Sequence, residues 1–120
     1  MHDNKISLKV SCQQFTIPVT DVLEIISGKW VLPVIMVLLQ GEKKFTELER
    51  ILEGITARTL SKELKNLEAN ELVKRTVIET APMTVNYSLT EYGNTIQPII
   101  AEIRKWGIVH RERMLRTHRL

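Results

Sequence analysis

The sequence predicts a mainly helical domain carrying one small β-hairpin, and three observations point there. Residues 18–26, 30–39, 45–54, 55–72 and 90–114 set apolar side chains at helical spacing. Residues 72–79 and 84–89 read instead as strands, the first rich in branched side chains and the second alternating Val85, Tyr87 and Leu89 with Thr84, Asn86 and Ser88. Residues 45–54 and 55–72 are two short helices joined by a turn at Gly54, the second amphipathic and basic, which is the helix-turn-helix pattern. A hairpin directly after such a pair is the sequence order of a winged helix.

At 120 residues the chain is expected to form one domain: an arm over 1–17, the winged helix over 18–107 and a basic helix end or tail over 108–120. In the arm Ile6, Leu8 and Val10 alternate, as in a short strand or a segment reaching another subunit. Pro18 suits the first turn of a helix running to Ile26, with Val22, Leu23, Ile25 and Ile26 as buried candidates and Gly28 closing it. Residues 30–39 are apolar nearly all round and belong at the centre, with Pro33 tolerated in the first turn and Gln40 and Gly41 ending the helix.

Residues 45–54 take Thr46 as N-cap and Glu49 as its capping-box partner, with Leu48, Ile51 and Leu52 turned inward. The helix after Gly54 has Thr56 as N-cap, and Ile55 packs on Leu60 as a hydrophobic staple. At about 100° per residue, Ala57, Leu60, Leu64 and Leu67 share a sector opposite Arg58, Lys62 and Lys65, which are flanked by Thr59, Ser61 and Asn66. The outward face is cationic and hydrogen-bonding, suited to DNA phosphates and base edges. Arg58 is the base-reading candidate, because a guanidinium pairs with two acceptors on guanine, and Lys62 and Lys65 are phosphate contacts. Lysines and arginines on an exposed helix also serve simply as solvating charge; here the preceding helix and turn favour the DNA reading.

Residues 80–83 make the hairpin turn, and Lys74 and Arg75 near its base either reach phosphates or stay as solvated strand charges. Thr90 caps a long helix whose Tyr92, Ile96, Ile99, Ile100, Ile103 and Trp106 form one stripe; it continues through Gly107 towards Met114, with a kink at Pro98. That stripe exceeds what one small domain needs internally and predicts a homodimer using Ile96, Ile99, Ile100, Ile103 and Trp106.

The net charge of +3 is a weak argument for an anionic partner, but its distribution is uneven. Arg104, Lys105, Arg111, Arg113, Arg116 and Arg119 stand near the end against Glu112, a set that touches DNA or keeps the chain soluble. Cys12 is the single cysteine, so an intramolecular disulfide is excluded and a cytoplasmic location is expected. No signal-peptide pattern opens the chain, and the apolar run at 30–39 is half a bilayer span, so no membrane association is expected. His2, His110 and His118 lie at the chain ends, without metal-ligand spacing or a glycine-rich phosphate loop, so neither an enzyme nor a cofactor is predicted. A protein-interaction module without DNA binding is the alternative class; it has no need for three aligned cations.

Four separated motifs, SGKWVLPVIMVLL at 27–39, KFTEL at 44–48, GITARTLSKELKNLE at 54–68 and VNYSLTEYG at 85–93, resemble the HxlR-type winged helix-turn-helix transcription regulators of bacteria, relatives of the MarR group. The resemblance covers about residues 18–107 and implies a dimer built from terminal helices on a palindromic double-stranded operator. It implies DNA contacts by Thr56, Arg58, Thr59, Ser61, Lys62 and Lys65 from a recognition helix at about 57–69 in the major groove. The wing at about 72–89, with Lys74, Arg75 and Thr84, would lie on the flanking backbone or minor groove.

Three positions depart from the pattern. Where many members carry a cysteine before the first Pro-Val, this chain has Ile17, leaving Cys12 as the redox candidate for an oxidant-responsive regulator. The wing tip has Thr84 where an Arg is common, which weakens minor-groove insertion. Glu71 replaces the Gly that often ends the recognition helix, which moves the left-handed cap to Asn70. A small-molecule effector pocket near Trp30, Met36 and Trp106 is weighed against ordinary core packing of the same residues.

Overall fold

In a computed structural model, which describes residues 12–118, helix α1 (Cys12–Ile26) leads into α2 (Val31–Leu38), strand β1 (Lys43–Lys44), α3 (Phe45–Ile51) and α4 (Ala57–Ala69). Strands β2 (Val73–Ile78) and β3 (Thr84–Leu89) follow, then α5 (Glu91–Asn94) and α6 (Gln97–Thr117). The alternation at Ile6, Leu8 and Val10 and the charge at Arg119 lie outside the described residues.

The core is a cluster in which α2 supplies Val31, Val34, Ile35, Val37 and Leu38, α3 supplies Leu48, and α4 supplies Leu60, Leu64 and Leu67. Val34, Ile35, Leu48 and Leu60 are fully buried. At roughly 25 cal/mol for each Å² of apolar surface removed from water, such side chains contribute about 1.5–3 kcal/mol apiece, enough to hold α4 rigidly from behind. Ile51 and Ala57, expected to face inward, are exposed. The short α3 ends in a turn that buries Leu52 instead of Ile51.

The sheet has three strands in the order β1-β3-β2, all antiparallel, one more than the predicted hairpin. Lys43 and Lys44 pair with Tyr87 and Asn86; a two-residue strand of lysines carries no periodicity to detect. Asn86 is buried at the centre of this sheet, where its amide donates to the Glu42 carboxylate.

The helix boundaries revise several expectations. Pro18 lies inside α1 and not in its first turn. Pro18 lacks the amide hydrogen that would bond the carbonyl four residues back, so one backbone bond of α1 is missing there. Gly28 does not close α1 with a left-handed turn; the positive-φ glycines are Gly41 and Gly54. What Gly28 provides is a close approach, since a Cβ there would stand 3.1 Å from Val31 Cγ2. Helix α3 is capped at Lys44, whose amide donates to the Glu47 carboxylate at 2.8 Å, and not by Thr46 with Glu49.

The expected single helix kinked at Pro98 is two helices. Thr90 caps α5 as anticipated, accepting from the Gly93 amide at 2.8 Å, but the chain then turns at Thr95 and Ile96, and α6 starts afresh with Pro98 in its first turn. A proline placed there forfeits an amide that has no internal acceptor, whereas one in mid-helix would break a bond.

Candidate nucleic-acid interface

Helix α4 follows a turn made by Gly54, whose φ of +91° is open to glycine at no steric cost. The Thr56 hydroxyl accepts from the Thr59 amide at 3.1 Å and donates to the Thr59 hydroxyl at 3.0 Å, so the predicted N-cap is present. Ile55 packs against the core beside it. With Leu60, Leu64 and Leu67 buried, helical geometry turns Arg58, Lys62 and Lys65 out to solvent.

The far end of α4 is pinned more firmly. Asn70 has φ of −90°, and Glu71, not Asn70, takes the left-handed conformation with φ of 63°. Two bonds close the helix there: Glu71 N–H to Glu68 O and Leu72 N–H to Leu67 O, each 2.9 Å, the Schellman pattern, with Leu67 and Leu72 both buried. Register decides which residue is strained: Leu72 must enter the core, so its predecessor makes the turn whatever its own preference. Thr90 then ties this end to the sheet, its hydroxyl donating to Glu71 O at 2.7 Å and its amide to Leu72 O at 3.0 Å.

Arg58, Ser61, Lys62, Lys65 and Asn66 line one recess of about 440 Å³ on the outer face of α4. Ser61 and Thr59 are half-buried, while Thr56, Arg58, Lys62 and Lys65 are exposed. Lys74 and Arg75 project from β2 into a separate recess shared with Glu68, Glu71, Glu91 and Tyr92. Thr84 is half-buried at the far end of the hairpin and joins neither group.

The face is less purely cationic than α4 alone suggests. Lys62 also borders a cleft of about 600 Å³ between α1 and α4 whose walls include Asp21, Glu24 and Glu63. Asp21 and Glu24 are visible in the sequence as acids three apart on one helix, but only the fold places them on the walls of the cleft that Lys62 also borders. The residues weighed as an effector pocket are dispersed. Trp30 is half-buried near Gly54, Met36 is exposed, and Trp106 is exposed and stacked on His110 at 5.1 Å.

Among the described residues no group of three or more His, Cys, Asp or Glu is placed to hold a metal ion, and no helix is long and apolar enough to cross a membrane. A helix-turn-helix with an exposed basic second helix, followed by an antiparallel hairpin, defines a winged-helix transcription regulator. The model of the HxlR-like helix-turn-helix family matches residues 25–114, and the chain belongs to that family.

The chain is 40% identical over 95 residues to the HTH-type transcriptional regulator YybR of Bacillus subtilis (strain 168), a match spanning 79% of this chain and 76% of that protein. It is also similar to the solved structure of the redox regulator HypR in its reduced form, with a TM-score of 0.76 and 39% identity over 81% of this chain and 96% of that one. A MarR-family transcriptional regulator from Enterococcus faecalis V583 has the same TM-score of 0.76 at 33% identity, covering 84% of this chain and 92% of its own. These relatives and fold neighbours are transcription regulators, not enzymes.

Proposed function

We propose that the chain acts as a homodimer that reads a palindromic double-stranded operator, with α4 in the major groove and the β2–β3 hairpin on the flanking backbone or minor groove. The observation that carries this reading is the shared outer recess of Arg58, Ser61, Lys62, Lys65 and Asn66, held on a helix anchored by three buried leucines. Arg58 is the base-reading side chain, and Lys62 and Lys65 contact phosphates. Thr56 and Thr59 act first by shaping the helix start, because their hydroxyls are already bonded to each other.

Dimerisation is supported by the terminal helices. No residue of α6 is buried and, among the described residues of α1, Ile26 alone is, while Leu23, Ile99, Ile103 and Trp106 are about half or more exposed. Val22 and Ile99 border the same small apolar recess, so the two bare faces adjoin. Ile96 is turned into the chain's own core, leaving Ile99, Ile103 and Trp106, with half-buried Ile100 at the margin, for the partner.

The test is selection from a pool of random duplexes at two salt concentrations. Enrichment of a two-fold symmetric sequence with half-sites about one helical turn apart, and affinity falling steeply with salt, is the expected result. Failure to enrich any sequence, with the protein intact and dimeric, would favour a protein-interaction module. A redox-responsive version of the same function rests on Cys12, which is exposed at the start of α1. If it operates, oxidant changes operator affinity for the wild type and not for Cys12→Ser.

A further inference from the structure

We propose that Lys62 is a conditional DNA contact: the carboxylates of the cleft between α1 and α4 draw its ammonium group away from loosely bound DNA and yield it only to a closely seated operator. Asp21 and Glu24 thereby set the margin between operator and random sequence. The inference rests on the DNA-binding reading above.

Lys62 and Asn66 border two recesses at once. One is the outer recess of about 440 Å³, shared with Arg58, Ser61 and Lys65; the other is the cleft of about 600 Å³, whose walls include Asp21, Glu24 and Glu63. At about 100° per residue, Lys62 stands about 40° and Asn66 about 80° from Arg58 in one direction, and Lys65 about 20° in the other. Lys65 accordingly borders the outer recess and not the cleft.

The two recesses have opposite charge. In the cleft three carboxylates stand against the one ammonium group of Lys62, whereas the outer recess holds Arg58, Lys62 and Lys65 and no acid. Lys62 is exposed, and the ion pair formed among the described residues is Lys105 with Glu102 at 3.1 Å, so Lys62 is not locked to a carboxylate. A cleft of that volume is about 10 Å across, close to the distance of about 8 Å over which physiological salt screens charge, so the acids act on Lys62 through space. The flexible four-carbon stem of lysine lets its charge move from one recess to the other.

Groove geometry makes the choice consequential. A helix about 10–12 Å across in a major groove about 12 Å wide meets a phosphate strand on each shoulder. On the shoulder facing α1, Lys62 is the one cation bordering the cleft, and Asp21, Glu24 and Glu63 repel the same strand. A duplex held at a distance by phosphate attraction alone leaves the ammonium group with the carboxylates. An operator drawn in by Arg58 at the base edges brings its phosphates close enough to win Lys62, so the extra contact forms only where the bases match.

The experiment compares the full wild-type chain, Asp21→Asn with Glu24→Gln, Lys62→Ala, and all three changes together, on the selected operator and on random duplex over a salt series. Both acids are exposed and the amides match them in shape, so folding should persist; thermal midpoint and sedimentation check it. The double acid variant is expected to bind random duplex about three- to tenfold more tightly, with a salt slope steeper by about one, while operator affinity changes less than about twofold. In the Lys62→Ala background the gain should disappear. An equal gain on both duplexes, or a gain that survives Lys62→Ala, would mean plain repulsion of phosphates by the acids and would overturn the proposal. Unchanged binding to random duplex, or an altered oligomeric state that puts the acids at the subunit contact, would overturn it too. If the wild type shows no salt-dependent DNA binding, both readings fall; if it binds and the acid variant behaves identically, this inference falls alone.

Discussion

Glu71 is the one described non-glycine residue with a left-handed backbone, and it sits where α4 must stop. A Cβ in that region costs of the order of 1 kcal/mol, offset here by two closing bonds and by the burial of Leu72. Glu71→Gly is expected to raise stability by about 0.5–1 kcal/mol, the relief of strain being partly cancelled by the greater freedom of glycine when unfolded. Chemical denaturation of the two proteins checks it, and a loss of stability would mean that the Glu71 side chain makes a contact of its own. Gly93 is the converse case. A Cβ there would lie 2.1 Å from the Leu72 carbonyl oxygen, so Gly93→Ala must push α5 away from the α4–β2 junction. A loss of about 2–3 kcal/mol or more is expected, seen as a lower thermal midpoint.

At the scale of the element, α4 combines a buried leucine stripe with an exposed cationic face, and its two ends are fastened by different means. The start is fastened locally, by Thr56 on Thr59; the end is fastened through tertiary bonds from Thr90. Substitutions on the outer face should therefore alter binding without unfolding the helix, because Arg58, Lys62 and Lys65 are exposed. Arg58→Ala is expected to weaken specific sites by about 1–3 kcal/mol and relax sequence choice, whereas Lys65→Ala should weaken all sequences alike and flatten the salt slope by about one. Titration on the selected operator and on random DNA separates the two. Equal losses on both DNAs for both variants would show that neither side chain reads a base.

The leucine stripe, the Thr56 cap, the Gly54 turn and the extent of β3 were all legible in the sequence, since each depends on residues within one or two turns of each other. Strand β1 was not, because Lys43 and Lys44 become a strand only by pairing with Tyr87 and Asn86, more than forty residues away. Nor was the break before α6: Pro98 signals a disruption in the sequence, but whether the helix kinks or restarts depends on Ile96 entering the core.

For the whole molecule, the unresolved demand is the apolar surface of α1 and α6. A 21-residue helix spans about 31 Å, and α6 buries none of its residues within the chain. Ile103, 46% exposed, and Trp106, 71% exposed, lie on it three residues apart and so on one face. Ile103→Glu is expected to shift the protein towards monomer by at least about tenfold in dissociation constant, since a charge would be taken out of water without a partner. Sedimentation velocity checks this; an unchanged dimer would place the subunit contact elsewhere. Because half-site spacing follows dimer geometry, the monomeric variant should also lose preference for symmetric over single half-sites.

The sequence by itself determined the order of the elements, the amphipathic α4 with its cations, and membership of a helix-turn-helix class, because periodicity, caps and turns are short-range properties. Tertiary structure alone decided what each face meets. It put Asp21, Glu24 and Lys62 on the walls of one cleft, forced Glu71 into a left-handed turn so that Leu72 could be buried, turned Ile96 inward while leaving Ile103 and Trp106 bare, and left residues 74–83 of the hairpin exposed. Those outcomes depend on which distant surfaces come together, and no local pattern encodes that.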